Sequence, residues 1–424
     1  MASNQLNLKR GMDRLSTRLH RLSAVVFFVL VEKMVESSGL GKYLAPPLLG
    51  MFGLFGILIS LDVCGQGDLA TQIYQILEPG YRFLMKWATV FFTPALVKLP
   101  LVKEAITVNQ LLRLAFLLVA GAVLQMSLVA TYAKVLGSMS TAETPKAIED
   151  PDELPVSPSA SPSGGGEAYP RPGRPFKRRW MPFYGGIMLA ALCFLPFGES
   201  PRLEWGYMMS ATLLAFVAGN SAPPTFKAIL HPMFAGVLGT WFALMIFAWQ
   251  DKNRNFHGVL EDYSSPNGPG PLLIRLLGPL VVSLSLLLFE RRRLLKRDFR
   301  LVVGTAFLAS VSGMFFSAVL ARVLQLPPEI ARATVPRFCT TALALTVAAN
   351  FDGPSALTIA IVVATAFVGV SISRPLLRLL QTSSSRERGL ATGATASVIG
   401  TVSLDTWDKK AVPYSAVCFV LNGG

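Results

Sequence analysis

Long runs of apolar residues constrain this chain more than any other feature of its sequence. The hydrocarbon core of a bilayer is about 30 Å thick, so a helix needs roughly 20 apolar residues to cross it. Charged residues make up only 15% of the chain, against about 25% in soluble domains. The sequence therefore predicts an all-α polytopic protein of the lipid bilayer with about 12 transmembrane segments. The clearest runs are 44–63, 108–133, 233–249, 272–289, 301–320 and 355–373.

The formal net charge of +14 comes largely from short basic stretches between the apolar runs. In a soluble protein this charge would suggest nucleic-acid binding. Here the basic residues flank apolar segments, which is the distribution that the positive-inside bias of membrane proteins produces. We therefore predict no nucleic-acid partner. The stretches are 9–21, 171–179, 291–300 and 374–388.

The cysteines and histidines are isolated from one another along the chain. Neither type shows the spacing of a metal or redox motif, and no nucleophile with a partner base can be identified. The sequence therefore predicts a protein that is not an enzyme and that binds no metal and no cofactor. The residues concerned are Cys64, Cys193, Cys339 and Cys418, with His20, His231 and His257.

Residues 137–179 are rich in Pro, Ser and Gly and cannot bury a core, which predicts a disordered linker. This linker divides the chain into a membrane domain at 22–136, with about four helices, and a second at 180–424, with about eight. The basic segment 1–21 lacks a secretory signal pattern. It is interpreted either as the remnant of a transit peptide or as the basic flank of the first span.

Charge also predicts that one apolar piece near the C-terminal end does not cross the membrane. With the N-terminus inside and four spans before the linker, the basic stretch 290–300 returns inside after four more. If 338–350 and 355–373 both crossed, the basic loop 374–388 would lie outside. It lies inside only if one of these two pieces fails to span.

The stretch "VPRFCTTALALTVAANFDGPS" carries the strongest functional signal. We expect a helix to begin near Arg337, with Thr340 and Thr341 in its first turn, and to stop near Asp352. A helix N-terminus favours anions, and arginine matches a carboxylate with its planar fork. Short broken helices of this kind form the sites of secondary transporters, which predicts a carboxylate site that also includes Asn350 and Asp352. The alternative is that Arg337 snorkels to the interface and the threonines bond their own backbone.

A second stretch, "RERGLATGATASVIGTVSLD" at 386–405, is rich in small residues and hydroxyls. Gly393, Thr395, Ser397 and Thr401 are predicted to contribute to the same substrate site. The alternative is close helix packing through the small residues. Both interpretations hold if this helix crosses the first one near the membrane midplane.

These stretches resemble a known family. "VPRFCTTALALTVAANFDGPSALT", "RGLATGATASVIGT" and "LLGPLVVSLSL" are similar to signature segments of the LrgB/CidB membrane family. "PGYRFLMKWATVFFTPALVKL" resembles the LrgA/CidA pattern. The resemblance covers about 25–135 and 180–424, and a single chain that joins both halves is most similar to the plastidal glycolate/glycerate translocators of that family.

The resemblance implies an antiporter that exchanges glycolate and glycerate across the chloroplast inner envelope during photorespiration. It also implies the inverted-repeat fold of sodium/proton antiporters, with 276–289 and 386–405 as counterparts. The alternative that the family offers is a holin-like or antiholin-like protein of the bacterial plasma membrane, which regulates murein hydrolase export or lysis. Exchange and proton coupling both stay open, as does assembly into a homo-oligomer.

Position by position, the match to the family is partial. Arg337 stands where the family has lysine, and Thr340 and Thr341 keep a threonine pair. Asp352 replaces one of two glycines. Ser397 replaces a histidine, which weakens any mechanism that moves protons through a titrating imidazole.

Overall fold

In a computed structural model the chain is described over residues 2–39, 45–101, 107–141, 181–194, 201–221, 232–250 and 254–422. Within these ranges the regular structure is helical and no strand occurs, which confirms the predicted all-α class. Most of the predicted linker lies outside the described residues. Its first residues, 137–141, continue a helix that ends at Thr141.

The first part of the chain forms α1 (Ala2–Ser37), α2 (Pro46–Val63), α3 (Gly67–Val97), α4 (Val108–Thr141), α5 (Met181–Phe194), α6 (Pro201–Ser221) and α7 (Pro232–Gln250). The next helices are α8 (Phe256–Ser264), α9 (Pro269–Arg275), α10 (Leu277–Glu290), α11 (Arg292–Arg297), α12 (Phe299–Val323) and α13 (Pro328–Thr334). The last are α14 (Thr341–Ala349), α15 (Ser355–Leu379), α16 (Ser385–Leu404) and α17 (Val412–Leu421).

Local sequence explains where several of these helices begin and end. Proline occupies the first or second helical position of α2, α9, α13 and α17, where its missing N–H is not needed. The long helices α12 and α15 both end in a left-handed glutamine, Gln325 and Gln381. In each case the next N–H bonds back to the carbonyl of residue 321 or 377, which is the Schellman geometry that satisfies the last carbonyls.

Five stretches of the described chain are long and apolar enough to cross a membrane. One of them, Phe256–Glu290, is divided among α8, α9 and α10. Shorter apolar helices lie at Met181–Ala190 and Phe234–Gln250. The protein is therefore an integral membrane protein. The other four stretches are Pro46–Val63, Val108–Met139, Phe299–Val323 and Ser355–Leu379.

The chain forms two compact units, and each unit combines residues from both sides of the linker. The first consists of Met1–Ala105, Pro172–Leu286 and Pro354–Ala360. The second consists of Ile106–Arg171, Leu287–Gly353 and Ile361–Gly424. The boundaries of these units differ from the predicted boundary at the linker. The two membrane domains at 22–136 and 180–424 therefore stay a prediction from the sequence.

Glycines permit close helix approach within the first unit. A β-carbon at Gly80 would lie 2.5 Å from Cβ of Ala24, and one at Gly239 would lie 2.7 Å from Cβ of Ala215. These positions bring α3 against α1 and α7 against α6, as small residues do between membrane helices. The indole of Trp241 also donates to the carbonyl of Val97 at 2.9 Å.

In the second unit, α4 packs against α12 and α16, and α16 packs against α17. The N-terminal ends of α12, α16 and α17 are joined by the buried carboxylate of Asp298. It accepts a hydrogen bond from the Tyr414 hydroxyl at 2.7 Å and lies 3.4 Å from Arg386 Nη1. This unit contains all of the predicted site residues.

Candidate functional site

The turn before α14 differs from the prediction. Arg337 was expected near the start of a helix, but α14 begins at Thr341 and Thr340 is its extended N-cap residue. The expected start was therefore wrong, because the N–H of Arg337 bonds the carbonyl of Thr334 and the N–H of Cys339 bonds that of Pro336. These turn bonds hold the Arg337 backbone outside the helix.

The helix α14 has only nine residues. At 1.5 Å per residue it is about 13 Å long, well short of a bilayer core of about 30 Å. It ends at Ala349, and the N–H of Gly353 bonds the carbonyl of Ala348 at 2.9 Å. The predicted interruption is present, and its short helix agrees with the charge argument that one apolar piece does not cross.

The side chain of Arg337 is buried, with 1% of its surface exposed. Its Nε donates to the hydroxyl of Ser317 at 3.0 Å, and its Nη1 donates to the carbonyl of Leu117 at 2.7 Å. The guanidinium carbon lies 4.5 Å from the ring centre of Phe338. In the described part of the chain, Nη2 has no hydrogen-bond partner and no carboxylate pairs with the guanidinium. This burial excludes the snorkelling alternative.

Several hydroxyls of the same unit are buried and have no hydrogen-bond partner among the described residues. Buried polar groups in proteins are nearly always satisfied, so each of these hydroxyls is a group that a bound polar ligand could satisfy. Together with Arg337 they supply one positive charge and several groups that can donate or accept. The residues are Thr340, Thr392, Thr395 and Ser397.

The helix α16 is broken at Ser397, whose backbone lies at φ 52° and ψ −138°. This region favours glycine, and holding another residue there costs about 1–3 kcal/mol. A β-carbon at Gly369 of α15 would meet Ala396 Cβ at 3.0 Å, so a neighbouring helix passes close to the break. Strain of this kind is typical of functional sites, and broken helices expose backbone dipoles to substrates.

Two of the predicted site residues in α16 instead hold the helix against α17. A β-carbon at Gly393 would lie 2.5 Å from the carbonyl oxygen of Ser415. The hydroxyl of Thr401 is 2.7 Å from that of Ser415 and also bonds the carbonyl of Ser397 at 3.1 Å. The packing alternative therefore describes Gly393 and Thr401, whereas Thr395 and Ser397 have orphan hydroxyls.

Asn422 brings the two predicted stretches together. Its amide nitrogen donates to the carbonyls of Phe338 and Ala394, both at 2.9 Å. Its amide oxygen accepts from the hydroxyl of Ser310, also at 2.9 Å. Asn422 therefore links the turn that carries Arg337 to the half of α16 that precedes the break. No sequence pattern pointed to Asn422, because it is a lone amide among apolar residues.

The remaining predicted residues lie at the start of α14 and in the turn that follows it. Thr341 is the first residue of the helix and is partly exposed. Asn350 and Asp352 are exposed beyond the opposite end of α14, and Asn350 lies about 15 Å from Thr340 by helix rise. Asp352 is held at φ 52° in the turn that follows. The structure does not bring these two residues together with Arg337.

Comparisons with known proteins give three curated relatives. Plastidal glycolate/glycerate translocator 1, chloroplastic, of Arabidopsis thaliana is 27% identical over 386 residues, which are 89% of this chain and 71% of that protein. An uncharacterised protein of Haemophilus influenzae is 29% identical over 163 residues, 38% of this chain and 69% of that protein. The uncharacterised protein YxaC of Bacillus subtilis is 26% identical over 166 residues, 39% and 71% of the two chains.

No solved structure matches the chain. The model of the LrgB-like family matches residues 212–424, which is half of the chain and includes α14, the break in α16 and α17. This protein therefore belongs to the LrgB-like family of membrane proteins.

Proposed function

We propose that this protein is a secondary transporter that exchanges small 2-hydroxycarboxylates, with glycolate and glycerate as the substrate pair. The observation that carries the proposal is the buried guanidinium of Arg337, which has no carboxylate partner in the described chain and lies in the turn that leads into Thr340 and α14. A buried charge without a partner is costly. An anionic substrate would compensate it.

The side chains around Arg337 suit both the carboxylate and the hydroxyl of a 2-hydroxycarboxylate. The carboxylate would accept from Nη2 of Arg337 and from free N–H groups in the first turn of α14, since no side chain caps that turn. The substrate hydroxyl would bond to Thr340, Thr395 or Ser397, whose oxygens have no partner in the described chain. Hydroxyl recognition would favour 2-hydroxy acids over unsubstituted ones, because a missing hydroxyl leaves these buried groups unpaired.

Exchange is the coupling that we propose. Ser397 occupies the position at which the family's signature has a histidine, so the broken helix offers no imidazole to carry a proton. The name of the Arabidopsis relative, a glycolate/glycerate translocator, supports the substrate pair.

We extend the proposal to the architecture and the location. The membrane domain would contain an inverted repeat, with α10 as the counterpart of α16, and the whole chain about 12 segments. In α10 the hydroxyl of Ser285 is buried without a partner in the described chain, as are several hydroxyls of α16. The chloroplast inner envelope is the proposed membrane, on the strength of the relative's chloroplast designation.

Uptake of labelled glycolate into proteoliposomes tests the function. Vesicles loaded with unlabelled glycerate are compared with empty vesicles and with vesicles that carry a proton gradient. Uptake that requires internal glycerate supports exchange, whereas uptake driven by the proton gradient alone overturns it. Leakage of an unrelated dye without glycolate uptake would point to the holin-like alternative.

A further inference from the structure

The helix α4 lies before the linker and outside the residues that match the LrgB-like family, yet it belongs to the same compact unit as the candidate site. Polar side chains at several positions along α4 donate hydrogen bonds to the C-terminal half. Arg113 donates to the carbonyl of Leu324 at 3.1 Å, and Lys134 donates to that of Leu380 at 2.6 Å. Gln125 donates to the carbonyl of Ala309 at 2.7 Å. Arg113 and Lys134 thereby bond carbonyls at the ends of α12 and α15.

The closest of these contacts is with Arg337 itself. The carbonyl of Leu117 accepts from Nη1 of Arg337 at 2.7 Å. One turn further along α4, a β-carbon at Gly121 would lie 2.7 Å from the guanidinium carbon and 2.9 Å from Nη1, and it would overlap Nη2. The backbone of α4 therefore forms the wall against which the guanidinium lies, and only glycine leaves room for it there.

We propose that α4 is part of the substrate site, with Gly121 as a positioning residue that determines where the charge of Arg337 is presented. This deepens the proposed function and rests on it. The N-terminal half would then supply one wall of the site. The fork of an arginine needs this glycine. A lysine at position 337 has no fork, and its flexible stem can move the ammonium away from the β-carbon of an alanine at position 121.

A double-substitution cycle of Gly121→Ala and Arg337→Lys in the full-length chain tests the inference. In the Arg337 background, Gly121→Ala is expected to raise the KM for glycolate exchange at least about tenfold, a change that corresponds to displacing one charge-assisted contact, and to lower the Tm. In the Arg337→Lys background the same substitution should change KM and Tm much less. That rescue distinguishes positioning from general damage to α4.

Gly137→Ala is the matched control on the same helix. Among the described residues its added β-carbon would meet Leu301 at 3.9 Å, an ordinary contact, so KM and Tm should stay close to those of the parent. If Gly121→Ala behaves like Gly137→Ala in both backgrounds, the inference is overturned. It is also overturned if Gly121→Ala lowers the Tm more in the Arg337 background than in the Arg337→Lys background but leaves KM unchanged in both. In that case α4 would only stabilise the fold.

Failure of the proposed function gives a different result. If the parent protein shows no glycolate exchange while the Tm values remain coupled, the substrate assignment fails. The contact of α4 with Arg337 would be upheld, and the claim that it serves a glycolate site would be overturned. A Tm cycle without coupling, in a protein that exchanges glycolate normally, would overturn the inference and leave the proposed function in place.

Discussion

At the scale of single residues, Arg337 combines features that rarely occur together in a membrane protein. Its side chain is buried, two of its nitrogens bond neutral oxygens of the protein, and no carboxylate of the described chain neutralises it. Neutral hydrogen bonds compensate a buried charge only in part, because the free-energy cost of desolvating the ion exceeds the stabilisation that these bonds provide. This incomplete compensation is the reason for proposing that Arg337 binds an anion.

Arg337→Ala is expected to abolish glycolate exchange and to change the Tm only slightly. The anion loses its only cationic partner in the described site. In the fold, removal of a charge that no carboxylate neutralises offsets the cavity and the two hydrogen bonds that are lost. Uptake and thermal unfolding of the purified variant measure the two effects. Arg322→Ala, an exposed arginine in the last turn of α12, is the control and should keep full exchange. Normal uptake by Arg337→Ala would remove this residue from the site.

The strained residue Ser397 gives a second prediction. Ser397→Gly should raise the stability by about 1 kcal/mol, because glycine adopts its backbone angles freely and the relief exceeds the entropy that glycine adds to the unfolded chain. Ser397→Ala removes the same hydroxyl but retains the strain, so it should not stabilise. Thermal unfolding separates the two. If both variants also lose glycolate affinity, the hydroxyl contributes to binding, and an unchanged KM in both would exclude that role.

Asp352 is strained without contacting the candidate site. Asp352→Gly should stabilise the protein by about 0.5 kcal/mol, since glycine favours the left-handed backbone that follows α14. Exchange should be unaffected, because residue 352 is exposed at the far end of that helix. Unfolding and uptake assays check both statements. A clear loss of glycolate affinity would show that Asp352 takes part in binding after all.

At the scale of helices, the site depends on how a turn, a short helix and a broken helix are held together. Asn422 makes this connection, since its single amide group bonds the Arg337 turn, α16 and α12. Sequence patterns predicted the short helix and the small-residue helix, because breakers and glycines are local signals. They placed the start of α14 too early, because hydrogen bonds of the turn at 334–339 are not visible in local propensity.

Asn422→Asp is expected to destabilise the protein by about 2–4 kcal/mol and to raise the KM for glycolate. The substitution replaces the donor that satisfies two buried carbonyls with a second acceptor, and each unsatisfied carbonyl costs about 1–3 kcal/mol. Thermal unfolding and uptake kinetics measure the two effects. Asn422→Ala removes the bonds without adding an acceptor, so it should be the milder variant. Equal Tm values for parent and Asn422→Asp would contradict the role of this amide.

At the scale of the whole molecule, each compact unit is built from residues on both sides of the linker. The helix α4 illustrates this, since its Arg113, Gln125 and Lys134 all donate to carbonyls of the C-terminal half. The two segments that the sequence separates are therefore joined by packing as well as by the chain. We therefore expect the two segments to stay together without a covalent connection.

A protease site inserted between residues 150 and 170 tests this statement. After complete cleavage, the two pieces should co-elute in size-exclusion chromatography and glycolate exchange should continue, because the contacts within each unit remain. An uncleavable insertion of the same length is the control. Separation of the pieces in mild detergent would show that the linker, and not the packing, holds the two segments together.

The sequence by itself determined the class of this protein and indicated the two stretches of the candidate site. The length of an apolar run indicates a membrane helix. A charge, a hydroxyl or a helix breaker inside such a run is a local signal, which can be recognised without knowing what the residue contacts. Only the tertiary structure decided what Arg337 touches and that α4 forms a wall of the candidate site. The reason is separation along the chain: Leu117 and Arg337 are 220 residues apart, and no periodicity encodes which distant carbonyl a side chain will reach.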